Sequence, residues 1–150
     1  SSFASFRIVA ERLAGTAAII STVDAWIPGS GFASFARSVR DCPPDALVLG
    51  VTDRVDDEKP LWVELDPLSG RVSELGGASG DAITAGLYAI PPDLAFPTGI
   101  DFTRLRDYLR WVVEDGRPVY GIPIPDVVDV DRNEDIAAAE RLAVSELSES

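Results

Sequence analysis

Apolar residues recur at helical spacing at the start of the chain, where Phe3, Phe6, Ala10 and Leu13 share one face and Arg7, Glu11 and Arg12 turn away. Residues 3 to 14 are therefore predicted as an amphipathic helix, ended by Gly15. The continuous apolar run Ala17-Ala18-Ile19-Ile20-Ser21-Thr22-Val23 predicts a buried strand that ends at Asp24. Pro28-Gly29-Ser30-Gly31 reads as a flexible loop, after which Phe32, Phe35, Ala36 and Val39 mark a second helix. Ala46 to Val51 is a further continuous apolar run, the pattern of a parallel strand covered on both faces.

From residue 60 the period falls to two. Leu61 to Leu65 and Arg71 to Leu75 flank Asp66-Pro67-Leu68-Ser69-Gly70, whose Pro and Gly are turn formers, and together they predict a β-hairpin. Gly76-Gly77-Ala78-Ser79-Gly80 has strand-like runs on both sides, whereas a phosphate cradle needs a helix N-terminus after it, so it reads as a connecting turn. Ala82 to Ile90 is a strand interrupted by Gly86, a residue that lets a ligand or another backbone come close. Phe102, Leu105, Leu109, Val112 and Val113 share one face of a third helix over residues 101 to 115, leaving Trp111 on the opposite side to meet a partner or another part of the protein. Pro118 to Ile124 reads as a strand. Asp131 and Glu134 make a capping-box-like pair at the start of a last helix, whose buried stripe is predicted at Ile136, Ala139, Ala143 and Leu147. Helices alternating with buried strands, plus one inserted hairpin, predict a single domain. Its fold class is α/β, a Rossmann-like three-layer α/β/α sandwich with a mostly parallel (mixed) sheet.

Composition narrows the functional classes. The 150 residues are 46% hydrophobic, and a chain of that length buries roughly 70% of its unfolded surface. No apolar run approaches the ~20 residues of a membrane span and no signal-like core is present, so a soluble cytoplasmic protein is expected. The formal net charge of −12 opposes binding to nucleic acid and to anionic membranes. A phosphorylated small substrate would meet the same repulsion and would need a metal ion or a local basic pocket. Lys59, in Asp56-Asp57-Glu58-Lys59-Pro60, could reach a phosphate, although so charged a stretch before a proline is more simply a solvated turn. The chain has no His, which excludes imidazole chemistry from within it, and Cys42 reads as a packed thiol with nothing basic beside it. There is no Met, even at position 1, so the chain is expected to be a fragment or a processed product.

The densest chemistry lies in Asp126-Val127-Val128-Asp129-Val130-Asp131-Arg132-Asn133-Glu134-Asp135. Closely spaced ionised carboxylates repel one another unless a cation sits among them, and a hard divalent cation prefers oxygen ligands. Asp131 as helix cap, Asp135 as first-turn acid and Asp126 as surface charge account for three of the acids and leave Asp129 as the candidate ligand. Asp24 stands just beyond a strand, where open α/β sheets place their ligands, although an Asp there can also cap a loop. Two strand-end acids far apart in sequence suggest a Mg2+ site for phosphate chemistry.

Taken in order from Ile19 to Glu140, these segments resemble the nucleotidyltransferase superfamily of sugar-1-phosphate nucleotidylyltransferases and molybdenum-cofactor guanylyltransferases. Ile20-Ser21-Thr22-Val23-Asp24 looks like the strand carrying that family's first Mg2+-binding Asp. Leu61 to Leu75 looks like its hairpin, and Thr84-Ala85-Gly86-Leu87-Tyr88 is similar to its strand beside the sugar. Val128-Asp129-Val130-Asp131-Arg132-Asn133-Glu134-Asp135-Ile136 resembles its closing D-x-D-x-x-E-D-L segment, with Asp129 as the second metal ligand. Two features of the family differ: the Gly-rich loop with nearby Arg and Lys is absent, and Glu74-Leu75-Gly76 stands in place of Glu-Lys-Pro.

The resemblance implies transfer of a nucleotidyl group from an NTP to a phosphorylated acceptor, a sugar 1-phosphate, with release of pyrophosphate. Asp24 and Asp129 would hold Mg2+ and act as the catalytic residues, while Glu74, Thr84, Gly86 and Tyr88 would contact the substrate. It also implies that residues 1 to 150 lack an N-terminal Gly-rich segment, so the chain alone is expected to be inactive and to associate through uncovered apolar surface. A metal-dependent glycosyltransferase and a non-catalytic sugar-nucleotide-binding or regulatory subunit on the same fold are the alternatives.

Overall fold

A computed structural model describes residues 1–55 and 59–149, so Asp56-Asp57-Glu58, expected in a solvated turn, lie outside the described residues. The elements are α1 (Ser2–Arg12), β1 (Ala18–Ser21), β2 (Ala25–Trp26), α2 (Gly29–Ser38), β3 (Leu47–Thr52), β4 (Trp62–Leu65), β5 (Val72–Leu75), β6 (Ala82–Ile90), α3 (Leu105–Glu114), β7 (Val119–Pro123), β8 (Val128–Asp129) and α4 (Asn133–Glu149). No described helix is long and apolar enough to cross a membrane.

The main sheet has the order β5-β4-β6-β3-β7, and the long β6 is shared along its other edge by two strands. Its first residues pair with β4 at Trp62↔Ile83, and its last residues pair with β1 from Ser21↔Leu87 to Ala18↔Ile90. β3 and β7 run parallel from Leu47↔Val119 to Val51↔Pro123, while the other pairs are antiparallel. The sheet is thus mixed, with its parallel character confined to one pair. Continuous apolar runs such as β3, buried at every position, report cover on both faces and carry no information about strand direction. β1 corrects the expectation of a buried strand: it pairs only with β6, is half-buried, and leads to the fully exposed Val23.

Alternate side chains of the central strands feed two cores, which makes the molecule three-layered. Leu47, Leu49 and Val51 of β3 and Tyr88 and Ile90 of β6 pack with Phe3 and Phe6 of α1 and Tyr108, Leu109 and Val112 of α3. Val48, Leu87 and Ala89 point to the other face and meet Phe35 of α2 and Ile124. The hairpin loop is held by the Asp66 carboxylate, which accepts the N–H groups of Leu68 and Ser69 at 3.1 and 2.7 Å and the Ser69 hydroxyl at 2.7 Å. These bonds depress the Asp66 pKa. Cys42 is a half-buried thiol whose pKa is raised, mainly by burial and then by Asp41.

An aromatic cluster fills the α1/α3 side. Tyr108 is fully buried against Phe3, Phe6, Phe96 and Phe102, and its hydroxyl donates to the Ala95 carbonyl at 3.0 Å. Trp111 does not stand apart from this core: its ring stacks on Tyr108 at 6.0 Å and meets Phe102 at 6.2 Å, because so long a side chain on the last turn can fold back over the helix. Tyr108→Phe keeps the packing and removes the one hydrogen bond, and is expected to cost about 1 kcal/mol. Urea unfolding checks this, and an unchanged midpoint would show that Ala95 finds an equally good partner.

Candidate active site

The site is assembled where β1 ends. Thr22 donates its N–H to the Gly86 carbonyl at 2.9 Å, so the chain leaving β1 lies directly on β6. That approach requires glycine: Gly86 has φ +71°, and a Cβ there would stand 2.5 Å from Thr22 Oγ1 and 2.9 Å from Ala25 Cβ. Past this point β2 pairs antiparallel with β8 in the register Ala25↔Asp129 and Trp26↔Val128, and Val130 donates its N–H to the Asp24 carbonyl at 2.9 Å. The two-residue ribbon is what joins the ends of the sequence pattern. It places carboxylate oxygens of Asp24, Asp129 and Asp131 within 4.8 Å of one another, all three residues being exposed.

Asp131 enters this group because it is not the helix cap the sequence suggested. Helix α4 begins at Asn133, and the Asp135 carboxylate reaches back to accept the N–H groups of Asp131 and Arg132 at 3.2 and 2.8 Å. This is the reach of a third helical residue to the cap position, so Asp135 serves the role expected of the Asp131–Glu134 pair.

A cavity of about 320 Å3 opens beside the three acids. Thr22, Thr84, Gly86 and Tyr88 line it from the sheet, and Asp24 and Asp129 from the ribbon. Thr52 ends β3, Arg54 lies two residues beyond it, and Arg141 stands on α4. The Tyr88 phenol is pushed up to about 12, by burial first and then by the Asp24 carboxylate, with Asp129 adding to the rise. A hydrogen bond with Thr84 and the charge of Arg106 oppose these effects without cancelling them. Tyr88 is therefore a neutral donor at any ordinary pH.

Helix α4 walls the cavity with a face the hydrophobic pattern did not indicate. The inward positions are Asp135, Ala138, Leu142 and Glu146 beside the predicted Ala139 and Ala143, which are also half-buried, whereas Ile136 and Leu147 at the ends of the predicted stripe are 46% and 79% exposed. Polar tethers at both ends set this rotation, Asp135 at the start and Glu146 near the finish. Glu146 accepts the Ser30 N–H at 2.8 Å at the first turn of α2, which has no side-chain cap of its own. Pro28-Gly29-Ser30-Gly31 accordingly runs into a helix rather than a loop, since a carboxylate 116 residues away satisfies its orphan donors.

Those bonds to Ser30 and Gly29 depress the Glu146 pKa. A depressed carboxylate stabilises the fold fully above its unfolded pKa and loses that contribution as pH falls through the folded value. Glu146→Gln is thus expected to lower the melting temperature at neutral pH and to flatten the acid limb of a melting-temperature-versus-pH profile. An acid limb as steep as in the unsubstituted chain would assign the transition to other carboxylates.

Of the residues singled out from the sequence, the structure gathers Asp24, Thr84, Gly86, Tyr88 and Asp129 around one cavity. Glu74 is not among them: it is exposed on β5 with its carboxylate against Gly77. Lys59 does not line the cavity, and its carbonyl accepts from Arg106 at 2.9 Å. Asp126, read as surface charge, lies 3.9 Å from the Arg54 guanidinium. Arg54 and Arg141 escaped the sequence reading. Arg54 follows a strand without any motif, and Arg141 lies on the last helix outside its apolar stripe.

No protein-family model and no curated protein matches the sequence. Solved structures do match it. The inositol-1-phosphate CTP transferase from T. maritima superposes with a TM-score of 0.72 at 18% identity, over 95% of this chain and 61% of that one. A Bacillus anthracis protein assigned as a glucose-1-phosphate thymidylyltransferase gives 0.72 at 9% identity, over 93% and 59%. The chain has the nucleotidyltransferase fold. A UDP-glucose pyrophosphorylase from Acinetobacter baumanii gives 0.58 at 16% identity, over 87% of this chain and 52% of that one. The chain spans about three fifths of the length of the first two neighbours.

Proposed function

We propose that this chain forms the acceptor-binding and metal-binding part of a nucleotidyltransferase that couples an NTP to a sugar or polyol phosphate. The observation that carries the reading is the meeting of Asp24 and Asp129, more than a hundred residues apart, at the mouth of a cavity in this fold. The donor set fits Mg2+: among the described residues it offers hard carboxylate oxygens only, close enough together to share one cation. Asp24 and Asp129 would hold the ion, with Asp131 within reach of it. Bound there, Mg2+ supplies charge neutralisation to phosphate oxygens.

The chain's own residues position the acceptor. Gly86 lets the Thr22–Ala25 segment lie close on β6, and Thr22 and Thr84 of the lining would offer hydroxyls to a polyhydroxylated substrate, with Tyr88 buried behind Thr84. An acceptor phosphate oxygen attacks the α-phosphorus of the NTP. The new P–O bond forms as the bond to the β-phosphate oxygen breaks, and pyrophosphate leaves with that electron pair. The three-threonine, one-tyrosine lining offers no nucleophile activated by a base, so direct transfer is favoured over a covalent intermediate. The triphosphate-binding Gly-rich loop, which these 150 residues do not contain, would come from additional chain.

The test is pyrophosphate release by the natural protein that carries this chain, with each of the four NTPs against a panel of hexose 1-phosphates and inositol 1-phosphate. Release is expected only when one NTP and one acceptor are both present, in step with a nucleotide-linked product. Silence across the panel would discard the reaction. Release of a nucleoside diphosphate from a nucleotide sugar would replace it with glycosyl transfer.

A further inference from the structure

The lining of the cavity contains two cations, and the reaction above assigns neither of them. We propose that Arg141 of α4 and Arg54 beyond β3 form a clamp for the phosphate monoester of a small acceptor, so that α4 is part of the acceptor site. The inference rests on the reading above for the acceptor's chemistry, and on the geometry alone for the clamp.

Charge makes the first argument. A chain with net charge −12 repels any phosphate, and the carboxylates of Asp24, Asp129 and Asp135 that line the cavity add to the repulsion. A dianion held there needs positive charge beyond what one metal ion supplies to the nucleotide, and among the described residues Arg54 and Arg141 are the basic side chains that line the cavity. Pairing makes the second. Among the described residues Arg141 has no hydrogen bond or ion pair, so its donors are available, and Arg54 has only the 3.9 Å pair with Asp126, with both side chains about half exposed. The backbone that carries Arg54 is fixed nevertheless: its N–H donates to Thr52 Oγ1 at 3.2 Å, and Thr52 is 5% exposed.

Chemistry makes the third. Guanidinium is planar, always charged and suited to two parallel bonds to phosphate oxygens, so two of them in one concave site match a terminal phosphate far better than a neutral sugar. The cavity, about 320 Å3, is at the small end of ligand sites, which run to about 300–1,000 Å3, and so suits a sugar or polyol phosphate better than a complete nucleotide triphosphate.

The clamp is tested by titrating the chain with inorganic phosphate at constant ionic strength, with a chelator present, and following amide shifts. Saturable binding centred on residues 52 to 54 and on the middle of α4 is expected. Arg141→Gln and Arg54→Gln should each weaken it by about tenfold or more, the scale of a lost charge-assisted bond. Arg12→Gln, an equal change of charge on the exposed surface of α1, should leave it unchanged. Mn2+ binding by the three acids should survive in both cavity variants and confirm that they are folded. Absence of saturable phosphate binding overturns the clamp, and so does an Arg12→Gln effect as large as that of Arg141→Gln. The two proposals fail separately: phosphate binding lost with Arg141 in a protein that releases no pyrophosphate keeps the clamp and discards the reaction. An acceptor KM unaffected by Arg141→Gln in an active enzyme does the reverse.

Discussion

In the natural protein that carries this chain, Asp24→Asn and Asp129→Asn are each expected to cut the proposed nucleotidyl transfer by ~10^2-fold or more while leaving the fold intact, the scale seen when one main electrostatic contributor is removed. Asn keeps the size of the side chain and loses the charge. Both residues are exposed, so no buried charge or packing defect accompanies the change. The backbone ties of the ribbon, Ala25↔Asp129 pairing and the Val130 N–H to Asp24 carbonyl bond, do not involve the carboxylates and should persist. A second readout is independent of activity: Mn2+ affinity, followed by electron paramagnetic resonance, should fall in both variants. Asp131→Asn should weaken it as well if the third carboxylate contributes. Full transfer activity in Asp24→Asn would remove the acids from the mechanism, whatever their proximity.

Gly86→Ala is expected to be the most damaging small substitution near the site. The φ of +71° costs a non-glycine residue about 1–2 kcal/mol. The new methyl would also press on Thr22 Oγ1 and Ala25 Cβ, and overpacking of this kind costs about 1–3 kcal/mol. Together they approach about 2–5 kcal/mol, against a total stability of about 5–15 kcal/mol for an ordinary domain. Relief would come from lifting the Thr22–Ala25 segment off β6, which carries Asp24 away from Asp129, so Mn2+ affinity should fall with stability. Urea unfolding and the metal titration measure the two effects. A variant as stable as the unsubstituted chain would mean that the segment already has room, and the close approach would lose its importance.

Much of this was legible in the order of residues. Amphipathic spacing located α1 and α3, alternation located the β4/β5 hairpin, and continuous apolar runs located β3 and β6, because burial of a face or of both faces is written directly into side-chain type. Gly86 stood out for the same reason, as a missing side chain inside an otherwise bulky strand. Asp24 stood out as the acid that ends an apolar run, and Asp129 as the acid left in its cluster once Asp126, Asp131 and Asp135 had been given structural roles.

Residue order thus gave the longer helices and strands and singled out Asp24 and Asp129 as candidates, but not the short strands β2 and β8 that bring those acids together. Only the tertiary structure decided how the elements are turned and joined. Strand direction was invisible, since a strand covered on both faces is equally apolar in a parallel or an antiparallel neighbourhood. The rotation of α4 was set by Asp135 and by Glu146 bonding to Ser30, a contact across 116 positions that outweighs a modest apolar stripe. That rotation brings Arg141 to the cavity, and the two-residue ribbon of β2 with β8 brings Asp24 to Asp129. The ribbon depends on long-range backbone hydrogen bonds, which every residue can make and no residue type announces, and the rotation on a carboxylate whose backbone partner lies 116 positions away.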